Sequence, residues 1–103
     1  MNSRASLILD FWFNKTPPEK RFKRDNTFDN EIKINFEKDY NLAKSNEYDD
    51  WLNHPKECLA LIILLDQFSR NLFRDKKEAF DQDHKARLAV NQGIYLGYLE
   101  ELN

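Results

Sequence analysis

The stretch Leu59-Ala60-Leu61-Ile62-Ile63-Leu64-Leu65 is continuously apolar, and it decides the fold of this 103-residue chain. His54 and Pro55 precede it at positions that suit a helix cap and the first helical residue. Glu57 then favours the positive end of the helix dipole. A helix that is apolar on all sides is buried. The sequence therefore predicts a central helix from Pro55 to about Phe73.

Helical periodicity predicts three further helices. The first runs from Ser3 to about Phe13 and is apolar nearly all round. The second begins at one of three cap candidates at 25–27 and ends near Lys44. Its apolar residues recur mostly every fourth position, as in a helix with one buried face: Phe28, Ile32, Phe36, Tyr40 and Ala43. The last is capped by Asp83 and ends at Gly97. Its predicted inner side consists of Ala86, Ala89, Val90, Gly93 and Ile94.

The connections between these helices carry turn patterns rather than strand patterns. The residues 49–52 predict a turn that buries Trp51, and Asp75 with Glu78 has the spacing of a capping box before Ala79 and Phe80. Period-two alternation is rare in the sequence. We therefore predict an all-α fold of antiparallel helix pairs, stacked in a tetratricopeptide-repeat-like arrangement. The residues expected in its core are Trp12, Phe36, Leu61 and Leu65.

The charge balance excludes several classes of function. Sixteen Lys and Arg against eighteen Asp and Glu give a net charge of −2, without the basic excess of a dedicated nucleic-acid binder. The basic patch from Lys20 to Arg24 around Phe22 is interpreted as a solvated loop. Two glycines are too few for a phosphate-binding loop or a dinucleotide fingerprint. The sequence predicts no nucleic-acid partner and no cofactor.

The single cysteine bears on the cellular compartment, and the two histidines bear on whether a metal ion is bound. Cys58 is the single cysteine and lies in an apolar run, so it is predicted to be a small buried hydrophobe in a reducing cytoplasm. That run is too short to span a bilayer, and the N-terminus lacks the features of a signal peptide. The segment from Asp81 to His84 is interpreted as capping and solvated residues rather than metal ligands.

A polar arc at the end of the central helix is the candidate site. At roughly 100° per residue, its members fall within an arc of about 140°: Asp66, Gln67, Arg70, Asn71 and Arg74. One interpretation is a structural stripe paired with neighbouring loops. The other is a small-ligand or enzyme pocket beside Trp12, because an Arg fork suits carboxylate or phosphate.

Four segments resemble a bacterial family of unknown function with a tetratricopeptide-repeat-like, all-helical fold. The segment at 65–71, L-D-Q-F-S-R-N, is similar to the family signature L-D-Q-F-P-R-N, with Ser69 in place of Pro. The other three, at 8–13, 25–32 and 79–86, resemble I-L-x-F-W-F, D-x-x-F-D-x-E-I and A-F-x-x-D-x-x-A in the same order. The family is longer, with a second half carrying a Phe-Pro-His-Arg-Asn-like segment. The resemblance implies that 1–103 is a single helical domain forming the N-terminal part of the family domain.

These observations favour a binding function over catalysis. Stacked helix pairs present concave surfaces that bind proteins or peptides, so a protein- or peptide-binding scaffold is the first hypothesis. The alternative is the ligand pocket at the polar arc, completed by the second half of the longer relatives. A further expectation is self-association through the apolar C-terminal residues: Tyr95, Leu96, Tyr98, Leu99 and Leu102.

Overall fold

The helical segments follow the predicted order along the chain. The computed structural model describes residues 3–21 and 25–98, and these residues contain helices and turns but no strand. The α-helices are α1 (Ser3–Asn14), α2 (Pro18–Arg21), α3 (Asn26–Lys44), α4 (Pro55–Ile62), α5 (Ser69–Leu72) and α6 (Asp83–Tyr95). A π-helical stretch, Ile63–Phe68, joins α4 to α5, and 3₁₀ helices occupy Asp49–Asn53 and Lys77–Phe80. The all-α prediction is confirmed.

The predicted central helix is present as the continuous run of α4, the π-helical stretch and α5. Pro55 occupies its first turn, and Phe73 is the residue at its C-terminal cap. His54 lies at the N-cap with extended backbone, but its side chain makes no capping hydrogen bond. Leu61 and Leu65 are fully buried, as expected for the element that the other helices surround.

The apolar stripe of α3 faces this central helix. Asp25 caps α3 by accepting a hydrogen bond from the Phe28 N–H at 3.1 Å, which satisfies one of the free donors of the first turn. All five residues of the predicted stripe are buried. The prediction of α3 and of its buried face is confirmed.

Phe68 lies where α1, α3 and the central helix meet. Its ring lies 5.9 Å from Phe11, 5.8 Å from Trp12 and 5.1 Å from Phe36, measured between ring centroids. The first two contacts are edge-to-face and the third is stacked. Aromatic pairs at these distances are favourable beyond the area that they bury. The four residues predicted to be in the core are all buried.

A buried carboxylate attaches α1 to α3. Asp39 accepts hydrogen bonds from Arg4 Nε at 3.1 Å and Nη2 at 2.5 Å, and from the Tyr48 hydroxyl at 2.6 Å. The side chain of Asp39 is only 4% exposed, so the guanidinium and the phenol stabilise a charge that would be costly alone. Burial, and then the bond to Asp39, raise the pKa of Tyr48. Sequence periodicity did not predict this network.

Several local predictions differ from the structure. Asp83 is the first residue of α6 rather than its cap, since its carboxylate faces Arg70; Gln82 takes the cap position. Asp75 has a left-handed backbone (φ 66°), and the 3₁₀ helix after it is preceded by Lys76 without a side-chain cap. Ala79 is buried there, whereas Phe80 is exposed.

The outer side of α1 and two of the turns can also be compared with their predictions. Leu7 and Phe13 are about half exposed, so α1 is less enclosed than its composition predicted. The Trp51 turn is confirmed as a 3₁₀ helix, in which Trp51 is buried and stacks on Tyr48 at 4.0 Å. Gly97 has φ 76° just after the C-cap of α6, as a C′ glycine requires.

Candidate functional site

The predicted polar arc is divided between two carboxylate clusters. In the first, Arg70 Nη1 donates to Asp66 Oδ1 at 2.7 Å and to the Asp66 carbonyl, while Nη2 donates to Asp83 Oδ2 at 3.3 Å. The guanidinium also lies over the ring of Phe80, 5.0 Å from its centroid. The predicted pairing of Asp66 with Arg70 is therefore present, and Arg70 also binds Asp83 at the start of α6.

The second cluster connects the end of the central helix to α3. Arg74 donates from Nε and Nη2 to the two oxygens of Asp29 at 2.6 and 2.9 Å, the bidentate geometry that suits a guanidinium. Asn71 donates to Asp29 Oδ1 at 2.9 Å. These hydrogen bonds raise the pKa of Arg74. Asn71 and Asp29 line a shallow depression of about 210 Å³, separate from the first cluster.

Gln67 and Trp12 complete the predicted set. Gln67 donates to Asp66 Oδ2 at 2.7 Å. Trp12 is buried against Phe68 in the aromatic core. Each polar residue of the arc thus has a protein partner, as the structural interpretation expects, and ligand binding by the arc stays a prediction.

The polar arc begins inside the π-helical stretch, whose turn is wider than that of an α-helix. A constant step of about 100° per residue therefore does not describe how Asp66 and Gln67 are oriented relative to the residues that follow them. The buried Ser69 hydroxyl lies within hydrogen-bond distance of the carbonyls of Leu65, Asp66 and Ala79, at 2.9, 3.0 and 2.9 Å. Its single proton can bond to one of these carbonyls at a time; those of Leu65 and Asp66 belong to the same helical run, whereas that of Ala79 lies in the following 3₁₀ helix.

A basic cleft opens beside the first cluster. It has a volume of about 550 Å³, and its lining includes Arg70, Arg74, Lys76, Lys77 and Phe80. Arg70 and Arg74 belong to the polar arc predicted from the sequence, whereas Lys76, Lys77 and Phe80 do not. The sequence feature that could have indicated this cleft is the Lys76-Lys77 pair directly after Asp75. A turn at Asp75 brings these two lysines back to the end of the central helix.

An apolar groove runs between α4 and α6 on another part of the surface. Its volume is about 320 Å³ and its lining is nearly all apolar. The walls are formed by Pro55, Cys58, Leu59, Ile62, Val90, Gly93, Ile94 and Tyr98. Val90 and Ile94 were predicted on the inner side of α6, but they are exposed at 39% and 56%. Among the described residues, none covers them.

The C-terminal apolar residues are divided between surface and core. Tyr95 and Leu96 are exposed, as the prediction of self-association requires. Tyr98 instead is buried, and its hydroxyl donates to the Leu52 carbonyl at 2.9 Å, so this residue packs back onto the domain. Leu99 and Leu102 lie outside the described residues.

Cys58 forms the floor of the groove. The thiol is buried and donates to the Ala89 carbonyl at 3.5 Å, and burial raises its pKa. The prediction of a small buried hydrophobe is confirmed. A Cβ added at Gly93 would lie 3.5 Å from Tyr98 and 3.8 Å from Cys58, which are ordinary contacts. The structure at Gly93 therefore leaves room for a methyl group.

The described residues form neither a metal site nor a membrane-spanning helix. Across 3–21 and 25–98, no group of three His, Cys, Asp or Glu residues is arranged to hold a metal ion. No described helix has the length and apolar character to cross a membrane. Of the basic patch interpreted as a loop, Lys20 and Arg21 have helical backbone as part of α2, and 22–24 fall outside the described residues.

Comparisons with known proteins give a family without an assigned activity. No functionally curated protein matches the chain. A solved structure of a protein of unknown function from Agrobacterium tumefaciens matches with a TM-score of 0.90 and 36% identity. The match covers 96% of this chain and 56% of that one, so this chain spans little more than half the length of that relative. The family model described as "bacterial protein of unknown function (DUF924)" matches residues 8–103. The chain therefore belongs to this family.

Proposed function

We propose that this domain is a helical scaffold whose groove between α4 and α6 binds an amphipathic helix of a protein partner. The observation that carries the proposal is the exposed apolar wall of α6, in which Val90 and Ile94 face a nearly all-apolar groove. Apolar patches of this kind on a small domain mark interaction surfaces. A helix laid into a groove, with apolar anchors every three or four residues, is a recurrent mode of peptide recognition.

The extent of the apolar surface favours a helix over a small apolar molecule. Tyr95 and Leu96 continue it past the groove at the end of α6, and both are exposed. The predicted tetratricopeptide-like stacking of helix pairs supports the proposal, since each pair in such a stack buries an apolar face against its neighbour. The A. tumefaciens relative is a longer chain than this one.

The positive charges beside the groove indicate which charged residues the partner helix carries next to its apolar stripe. Lys56 lies three residues before Leu59, and Arg87 lies seven before Ile94, so helical spacing puts each next to one wall. Both are exposed, and neither forms an ion pair within the described part of the chain. The partner helix would therefore carry Asp or Glu on either side of its apolar stripe. A cytoplasmic partner fits the reduced, buried Cys58.

A matched pair of variants tests this function. The probe is a fluorescent helical peptide with a leucine stripe flanked by Glu, and binding is measured by fluorescence anisotropy. Ile94 and Leu88 are equally exposed, at 56% and 55%, but Leu88 does not line the groove. Ile94→Lys should weaken binding by about tenfold or more, since it places a charge at an apolar anchor. Leu88→Lys should leave it within about twofold.

The charge of the peptide supplies a second comparison. Replacing its Glu flanks by Lys should weaken binding at low salt, and the difference should shrink as salt screens the flanking charges. Equal effects of Ile94→Lys and Leu88→Lys, or equal affinities of the two peptides at low salt, would contradict the proposal. Circular dichroism of each variant establishes that the fold is retained.

A further inference from the structure

We propose that the basic cleft at the end of the central helix binds a phosphate dianion, either as free phosphate or as a small phosphate monoester. This site is separate from the groove between α4 and α6. The cleft has a volume of about 550 Å³ and is lined by four cationic side chains, one carboxylate (Asp75) and the ring of Phe80. A cleft of this size is within the range of small-ligand sites.

The two arginines are held in place and retain free donors. Asp29 binds Arg74 through Nε and Nη2, and Asp66 and Asp83 bind Arg70 through Nη1 and Nη2. Arg74 Nη1 and Arg70 Nε therefore have no acceptor among the described residues. A guanidinium that is already fixed loses less side-chain freedom when it binds an anion, and its fork suits phosphate oxygens.

The two lysines supply ammonium groups with which no described carboxylate forms an ion pair. Both Lys76 and Lys77 are exposed. The left-handed backbone of Asp75 turns the chain, and the Lys76 N–H closes the turn on the Phe73 carbonyl at 2.9 Å. This turn carries both lysines to the side of the helix end where Arg70 and Arg74 lie.

The local charge balance sets the expected affinity. Four cations line the cleft, and within the described part of the chain they are balanced by Asp75 and the three carboxylates that hold the arginines. Binding should therefore be weak, with a dissociation constant on the order of 1 mM, and should decrease as salt concentration rises. Phe80 is 57% exposed and offers an apolar surface to an aromatic group attached to the phosphate.

An NMR titration of the 15N-labelled chain tests this site. The probes are inorganic phosphate and phenyl phosphate at neutral pH, with benzyl alcohol as the uncharged control. Saturable shifts of the amides at 76–80 with phosphate, and none with benzyl alcohol, are expected. The double variant Lys76→Gln/Lys77→Gln should weaken binding by about tenfold. Lys38→Gln/Lys44→Gln removes the same charge from exposed positions of α3 and should change it by less than about twofold.

The titration distinguishes three cases: a site for a phosphate monoester, a site for the phosphate group alone, and no site. Tighter binding of phenyl phosphate, reduced to the level of phosphate by Phe80→Leu, identifies a monoester site. Equal affinity for both probes identifies a site for the phosphate group alone. Shifts that do not saturate, or equal losses in the two double variants, would overturn the proposal, because they would reflect general screening of the protein's charge.

Discussion

Replacing Phe68 by Ala removes the side chain that joins three packed elements. Phe68 is fully buried, and its ring contacts Phe11, Trp12 and Phe36 at centroid distances of 5.1 to 5.9 Å. Truncating a buried Phe to Ala costs about 3–5 kcal/mol. The three ring pairs, each worth about 0.5–1.5 kcal/mol beyond burial, place the expected loss at the upper end of that range. A 103-residue domain has a free energy of unfolding of only about 5–15 kcal/mol.

Urea unfolding followed by far-UV circular dichroism measures this loss. Phe68→Leu, which keeps most of the volume, should cost about 1.5 kcal/mol and remains measurable if Phe68→Ala does not fold. Phe80→Ala is the matched control, because it makes the same change at a ring that is 57% exposed; it should cost about 1 kcal/mol or less. Equal losses in Phe68→Ala and Phe80→Ala would refute the placement of Phe68 at the centre of the core.

Other perturbations test the network, the groove and the oligomeric state. Asp39→Ala should lower the free energy of unfolding by about 2 kcal/mol in urea titrations, since it removes the buried carboxylate that accepts from Arg4 and from the half-buried Tyr48 phenol. Gly93→Ala should raise it by about 0.5–1 kcal/mol, because a methyl group fits at this helical position; a decrease would contradict the contact distances. Burial raises the pKa of the Cys58 thiol, so less thiolate is present at any given pH, and alkylation by iodoacetamide at pH 8 should be slower than in the urea-unfolded chain; equal rates would contradict burial. In sedimentation at micromolar protein we expect a dimer or larger species, which Leu96→Lys but not Leu88→Lys converts towards monomer, because only Leu96 belongs to the apolar C-terminal residues.

The sequence was sufficient for features that depend on local spacing. The five-residue stripe of α3 and the continuous apolar run of α4 predicted both helices and their burial, because a helix repeats its faces at a fixed period. Phe36 and Leu61 were placed in the core for the same reason. Gly97 was recognised at the end of α6 because a C′ position favours a residue that adopts positive φ.

Features that depend on a change of helical geometry or on distant partners were missed. The π-helical stretch at Ile63–Phe68 cannot be read from a constant angular step, and the pairing of the arc with Asp29 of α3 and Asp83 of α6 depends on residues distant in sequence. Asp83 has the residue type of a cap, but its carboxylate is bound to Arg70, thirteen positions earlier. Val90 and Ile94 follow the periodicity of an inner face, and only the arrangement of α4 and α6 reveals them at the rim of a groove.

The central claim is that the groove between α4 and α6 binds an acidic, amphipathic helix, and mapping the bound peptide tests it most directly. The measurement is a titration of the 15N-labelled chain with the Glu-flanked peptide, followed by assignment of the amides that shift. We expect the largest changes at Cys58, Leu59, Val90, Gly93 and Ile94, which line the groove. Largest changes in α3 or at the α1 surface, or none that saturate, would contradict the claim.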